Sequence, residues 1–179
     1  MKTITLILLF VSLQIQAQIQ TSPLRDKLVA CADKYIGIRE KTGNNDGPEV
    51  EAILRNVGLG KGYAWCAALQ AQIFDDAGLK NPHSAYCPDW FKTNVVYRRD
   101  KPTPISFVAK KGDSAGFFIP NKNRVGHIGM IYAESKWNYS LKEGNTNEAG
   151  SDEGEGAYNK FRNKKSIYII ADHLIPYEK

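Results

Sequence analysis

The hydrophobic pattern of this chain changes period once, near residue 105, and that change constrains the fold more than any other feature. Before it, apolar residues recur three and four apart, as on a helix buried along one side. After it they come in short β-branched and aromatic runs broken by turn residues. Between 22 and 39, Leu24, Leu28, Val29, Ala32, Tyr35 and Ile36 form one stripe, with Ser22 placed as N-cap and Pro23 just inside it. Pro48 opens a second helical segment that runs to about Val57, after the loop "GNNDG" at 43–47. A third runs from Cys66 to Ala77 and stops at Gly78. The runs "ISFVA", "AGFFI", "HIGMIYAE" and "SIYIIAD" then read as strands. Helices first and consecutive strands afterwards predict an α+β fold, with N-terminal helices packed on a C-terminal antiparallel sheet.

Residues 1–17 carry Lys2, an apolar run over 4–13 and small or polar residues ending at Ala17, which is the pattern of a secretory signal peptide. The run falls short of the roughly 20 apolar residues a membrane span needs, so export to the periplasm or beyond, without stable membrane insertion, is the expectation. "LVAC" at 28–31 looks like a lipid-attachment box, but the preceding "TSPLRDK" is too polar for the apolar segment such a signal requires. Residues 18–179 are expected to form one domain, since no repeat, low-complexity tract or linker divides them. Loss of Lys2 with the leader lowers the net charge from +5 to +4. That mild excess suits an anionic partner such as cell-wall polymer. The basic residues are scattered, and no basic stripe with interleaved aromatics points to nucleic acid.

Three cysteines, Cys31, Cys66 and Cys87, cannot all be paired within one monomer. Cys31 lies among apolar neighbours and reads as a buried small hydrophobe. Cys87, in the loop "SAYCPDW", could bridge to it, although sequence supplies no distance. Cys66 stands at the start of the third helix, where the helix dipole and amides without intrahelical partners favour a thiolate. Gly60 and Gly62 just before it allow a sharp turn and a close approach to a substrate. Burial with Trp65, Ala68, Leu69 and Ile73 is the competing reading of the same segment.

A thiolate nucleophile needs a base beside it and a group to orient that base. His83 lies in a loop and His173 near the chain end, and both are expected at the surface. His127, in "RVGHIGMIYAE", stands between two glycines at the start of a strand, which would leave its ring uncrowded and its direction fixed. "KEGNTN" at 142–147 follows. If 139–145 pairs antiparallel with the His127 strand, period-two alternation turns Glu143 and Asn145 to one face, toward the imidazole. A hairpin rim rich in turn-formers is the plainer reading of those residues.

Taken in order, "GNNDGPEVEAIL…VGLGKGYAWCAAL", "SAYCPDWF", "KKGDSAGFF", "GHIGMI", "EGNTN" and "GEGAYNKFR" resemble the CHAP domain family of cell-wall amidohydrolases and peptidases, over about 24–170. The resemblance implies a papain-like fold related to the NlpC-type cell-wall peptidases. It implies Cys66 as nucleophile, His127 as base and acid, Glu143 as orienting carboxylate and Asn145 as accessory polar group. It further implies a monomer that hydrolyses amide bonds in the stem peptides of peptidoglycan without metal or cofactor. Some relatives carry a calcium loop, and "NNDG" at 44–47 has suitable oxygens, but it lacks the alternating carboxylates and closing Glu. Tyr63, Trp65, Tyr86 and Trp90 are candidate cleft walls. A non-catalytic wall-binding domain and a general secreted cysteine protease are the alternatives, and no feature reveals an inhibitor or immunity protein.

Overall fold

The computed structural model describes residues 19–103, 107–150 and 154–178. The leader expected over 1–17 lies outside them. Helix α1 covers Pro23–Asp33, with Ser22 Oγ accepting from the Arg25 amide at 3.3 Å, as the cap signal requires. It ends before Arg39 because the chain turns over 34–37, where Gly37 takes φ +101°, so Tyr35 and Ile36 belong to the turn. Helix α2 covers Pro48–Asn56 and α3 covers Cys66–Asp76, the latter followed by Gly78 at φ +74°.

The described strands are β1 (Val95–Arg98), β2 (Ser114–Ile119), β3 (Arg124–Glu134), β4 (Asn138–Thr146), β5 (Gly156–Asn163) and β6 (Ile169–Ala171). They form one antiparallel sheet in the order β1-β6-β2-β3-β4-β5. An α+β architecture with its helices ahead of its main strands is therefore present. Two strands depart from expectation. β5 carries Asn159, Lys160, Arg162 and Asn163, residues of low strand propensity, and is held by long pairing with β4 at the sheet edge, where a polar outer row is tolerated. β1 is a four-residue edge strand. Conversely, residues 107–109 of "ISFVA" form no strand; the start of that run lies outside the described residues.

Alternate residues of β3 serve different layers. Ile128 and Met130 pack with the buried faces of all three helices, including Leu28, Leu54, Ile73 and Phe74. Ile131 joins Ala115, Leu141 and Ile170 in a second cluster.

A buried charge cluster ties α1 to the rest of the chain. Arg25, only 1% exposed, donates through Nη1 to Asp113 Oδ1 (2.9 Å) and the Lys111 carbonyl (2.8 Å). Its Nη2 reaches Asp172 Oδ2 at 2.7 Å and its Nε reaches Glu178 Oε2 at 2.9 Å. Burial and the neighbouring Asp172 charge push the Asp113 carboxyl up to about 7, against the pull of Arg25. Arg25→Met would leave the buried Asp113 and Asp172 without the guanidinium that separates them. It should cost on the order of 3–5 kcal/mol in urea unfolding; a loss below about 1 kcal/mol would mean that the acids find other partners.

Candidate active site

The loop before α3 is braced from the segment that preceded α2. Gly62 takes φ +91° and donates its amide to the Asn45 carbonyl at 3.0 Å. Trp65 is fully buried, and its Nε1 donates to Glu40 Oε1 at 2.8 Å, while Glu40 Oε2 accepts from the Asn45 amide at 2.8 Å. "GNNDG" thus supports the "GYAWC" turn. Its carboxylate, Asp46, accepts from the amide and hydroxyl of Thr42 at 2.9 Å each. Among the described residues no group of three His, Cys, Asp or Glu side chains is arranged to hold a metal.

Cys66 is the first residue of α3 and is 2% exposed. Its sulfur lies 3.6 Å from that of Cys87. The hydrogen bond shared with Cys87 holds the Cys66 thiol well below its ordinary pKa, and the His127 side chain and the Ala67 amide act the same way, while burial opposes them.

His127 comes from β3, just past a bulge. Phe117 pairs with His127 but Phe118 pairs with Val125, so Gly126 is the extra residue. A Cβ on Gly126 would lie 2.6 Å from Ile119 Cγ1, which explains a glycine there. The ring leans on Phe117 with centroids 5.5 Å apart. Nε2 bonds Glu143 Oε2 at 2.8 Å. Nδ1 is buried with no hydrogen-bond partner among the described residues, and it is the ring nitrogen left for the Cys66 thiol, which acts on the imidazole charge. Burial alone would lower the imidazole pKa, but Cys66 and Glu143 outweigh it and hold the ring protonated up to about 9.

Glu143 reaches the ring by crossing Gly129, where a Cβ would sit 2.6 Å from Glu143 Cγ. The second glycine of "GHIG" therefore clears a path for the carboxylate, not for the imidazole. Glu143 is 0% exposed and is held from behind by Arg162, whose Nε donates to Oε1 at 2.8 Å and whose Nη2 donates to Oε2. Burial pushes this carboxyl up, yet Arg162 and His127 prevail and bring it down to about 2. Arg162 also lies over Phe117, 5.2 Å from the ring centroid, and donates to the Gly150 carbonyl at 2.8 Å.

Cys66, His127 and Glu143 are thus brought together as the sequence predicts. Asn145 is buried at the end of β4, but alternation does not place it. The strand bulges between Glu143 and Thr146, and Asn145 takes φ +55°, a left-handed conformation that asparagine tolerates.

Other expectations need correction. Trp65 and Trp90 are fully buried core residues and cannot wall a cleft, whereas Tyr63 and Tyr86 are 57% and 51% exposed. His83 is exposed, but His173 is buried, bonding the Trp90 carbonyl at 3.0 Å and meeting Phe74 and Trp90 edge-on. Cys31 packs in the core. All three cysteines are free, and Cys87 lies against Cys66 instead of bridging to Cys31. Sequence reasoning missed two members of the site, Arg162 and Cys87. Arg162 lies on an unrecognised strand, four residues beyond Tyr158, the partner of Glu143, and hence on the same face. A cavity of about 360 Å³ beside Asp113 and Asp172 contains none of the residues at the thiol.

The arrangement can do one kind of chemistry well. A sulfur that readily loses its proton beside an imidazole that readily keeps one is an ion pair prepared for nucleophilic attack and proton donation. The chain matches no protein-family model, no curated protein and no solved structure, so the case for that chemistry rests on these side chains.

Glu143→Gln removes one of the two groups that raise the imidazole pKa. The His127 midpoint, followed by NMR of the ring protons, should fall from about 9 by a unit or more. An unmoved midpoint would show that the carboxylate does not act on the ring.

Proposed function

We propose that this chain is a cysteine-dependent peptidoglycan amide hydrolase, an amidase or endopeptidase acting on stem peptides through a thioester. The observation that carries the proposal is the buried grouping of Cys66, His127 and Glu143, in which the histidine is bonded to the carboxylate at 2.8 Å and the neighbouring thiol favours its charged form. A helix-borne cysteine set against a sheet-borne histidine also supports a papain-like arrangement, in keeping with the CHAP resemblance of the sequence. The substrate class and an exported location rest on that resemblance and on the leader-like residues 1–17. Tyr63 and Tyr86 are the exposed aromatics available to a peptide. Among the described residues no helix is long and apolar enough to cross a membrane.

In the reaction the Cys66 thiolate attacks the amide carbonyl, forming a C–S bond and an oxyanion. Backbone N–H groups at the start of α3, which lack intrahelical acceptors, are the donors available to that oxyanion, the Cys66 amide first among them. Collapse breaks the C–N bond as the His127 imidazolium gives its proton to the leaving nitrogen. Neutral His127 then takes a proton from water, whose oxygen attacks the thioester. The C–S bond breaks, the acid departs, and the thiolate–imidazolium pair is restored. Glu143 holds the ring in place and balances its charge throughout; Arg162 keeps Glu143 ionised.

Incubation of purified protein with murein sacculi, followed by mass spectrometry of soluble fragments, tests the proposal. Peptide release that vanishes in Cys66→Ala is expected; digestion of casein but not murein would favour a general protease, and digestion of neither substrate would reject a hydrolase.

Activity requires Cys66 ionised and His127 protonated. The rate should therefore rise with pH through the depressed Cys66 pKa, hold a plateau, and fall as pH passes about 9, where the imidazolium is lost. Within the plateau, Glu143→Gln should cut turnover by about 10⁴-fold. Asn145→Ala should cost only about tenfold to a thousandfold. The reverse order would make Asn145 the orienting group.

A further inference from the structure

Cys87 is a buried thiol to which the mechanism above assigns no task. It opens the 3-10 helix Cys87–Phe91, is 3% exposed, and lies with its sulfur 3.6 Å from Cys66 Sγ, within hydrogen-bond reach for a thiol. Its place is not accidental, because the segment is fastened on both sides of it. Ser84 Oγ donates to Asp89 at 2.6 Å, Trp90 Nε1 donates to the Ser84 carbonyl at 3.0 Å, and His173 holds the Trp90 carbonyl. A residue needed only to fill space there would require no hydrogen on its terminal atom.

Two thiols in contact in a dry site share one easily lost proton, and the surroundings decide which sulfur keeps the other. His127 from β3 and the Ala67 amide from α3 favour charge on Cys66. Arg124, also from β3, and the backbone amide of Cys87 favour charge on Cys87. Glu143 and Arg162 act one step further away, through the imidazole. The first set prevails.

We infer that Cys87 is a positioning residue for the nucleophile: its S–H donates to Cys66 Sγ, keeping the proton on Cys87 and the negative charge on Cys66, in reach of His127. The inference rests on the reading of Cys66 as nucleophile. The opposite displacement of the two thiols agrees with it, since contact with Cys66 drives Cys87 well above the ordinary thiol range while Cys66 falls below it. The same device, a neighbouring thiol that stabilises a thiolate, operates in redox dithiol motifs.

The test is the pH dependence of iodoacetamide alkylation at Cys66, read by peptide mass spectrometry under reducing conditions, in the parent, Cys87→Ala and Cys87→Ser proteins, each checked for its melting temperature. Cys87→Ala should raise the Cys66 midpoint by about one unit or more, seen as labelling at least about tenfold slower at a fixed pH below the midpoint. Cys87→Ser, which keeps an O–H donor, should recover part of that loss. A Cys87→Ala protein that folds normally with an unmoved midpoint would overturn the inference and leave Cys87 as core filler. Should that variant fail to fold, Cys87→Val, which fills the site without a donor, takes its place: a Cys66 midpoint raised relative to Cys87→Ser supports the inference, and an unmoved one overturns it. The readout is separate from hydrolysis. Murein release with an unmoved midpoint removes the role of Cys87 alone, whereas a moved midpoint in a protein that releases no murein peptides removes the hydrolase reading alone.

Discussion

Glu143 holds a negative charge with none of its surface in water, and the geometry of the site follows from how that charge is balanced. A lone carboxylate in such a place would take up a proton. Here Arg162 supplies two hydrogen bonds from β5 and His127 a third from β3, so the charge is stabilised by groups on the two strands flanking β4. The pairing works in both directions. Arg162 and His127 keep Glu143 ionised, and ionised Glu143 helps keep His127 protonated beside the Cys66 sulfur. A neutral residue at 143 would leave the partly buried Arg162 without its counter-charge and the imidazolium without its own.

Tight backbone contacts make this possible. Glu143 can lie across β3 only because residue 129 lacks a side chain. Gly144 lets the end of β4 close on α3, since a Cβ there would meet Leu69 Cδ2 at 2.6 Å and the Trp65 ring at 2.7 Å. Trp65 is in turn held by Glu40, so the residue before Cys66 is fixed by a sheet glycine on one side and a loop carboxylate on the other. The distance from sulfur to imidazole is thereby set by packing of rigid elements, which is the condition for a preorganised site.

Two buried charge clusters stand out among the described residues, with different surroundings. Around Arg25 one cation gathers three acids from distant parts of the chain and serves to hold α1 against the β2 and β6 ends. Around Glu143 one acid gathers two cations, and one of those is a histidine that can change its charge. Of the two, the second lies beside Cys66.

Local signals in the sequence were sufficient for much of this. Ser22-Pro23, Pro48 and Gly78 marked helix ends through backbone rules that act within a few residues, and the runs around β2, β3 and β6 announced strands by their β-branched and aromatic content. Cys66 at a helix start, His127 on a strand and Glu143 on the next strand were legible for the same reason: each depends on its own neighbours and on one hairpin. Contacts between segments far apart in the chain were not. Arg162 belongs to a strand whose polar residues carry little strand propensity and which exists because β4 offers it a partner. Cys87 meets Cys66 across 21 positions through the packing of a short 3-10 helix, His173 is buried by aromatics recruited from α3 and that same helix, and Asn145 is turned by a bulge that no period-two count could foresee. Residue type and local spacing state which groups can do chemistry; the pKa that makes them do it is set by charges and burial brought from elsewhere in the chain, and electrostatic environment is a property of three-dimensional proximity.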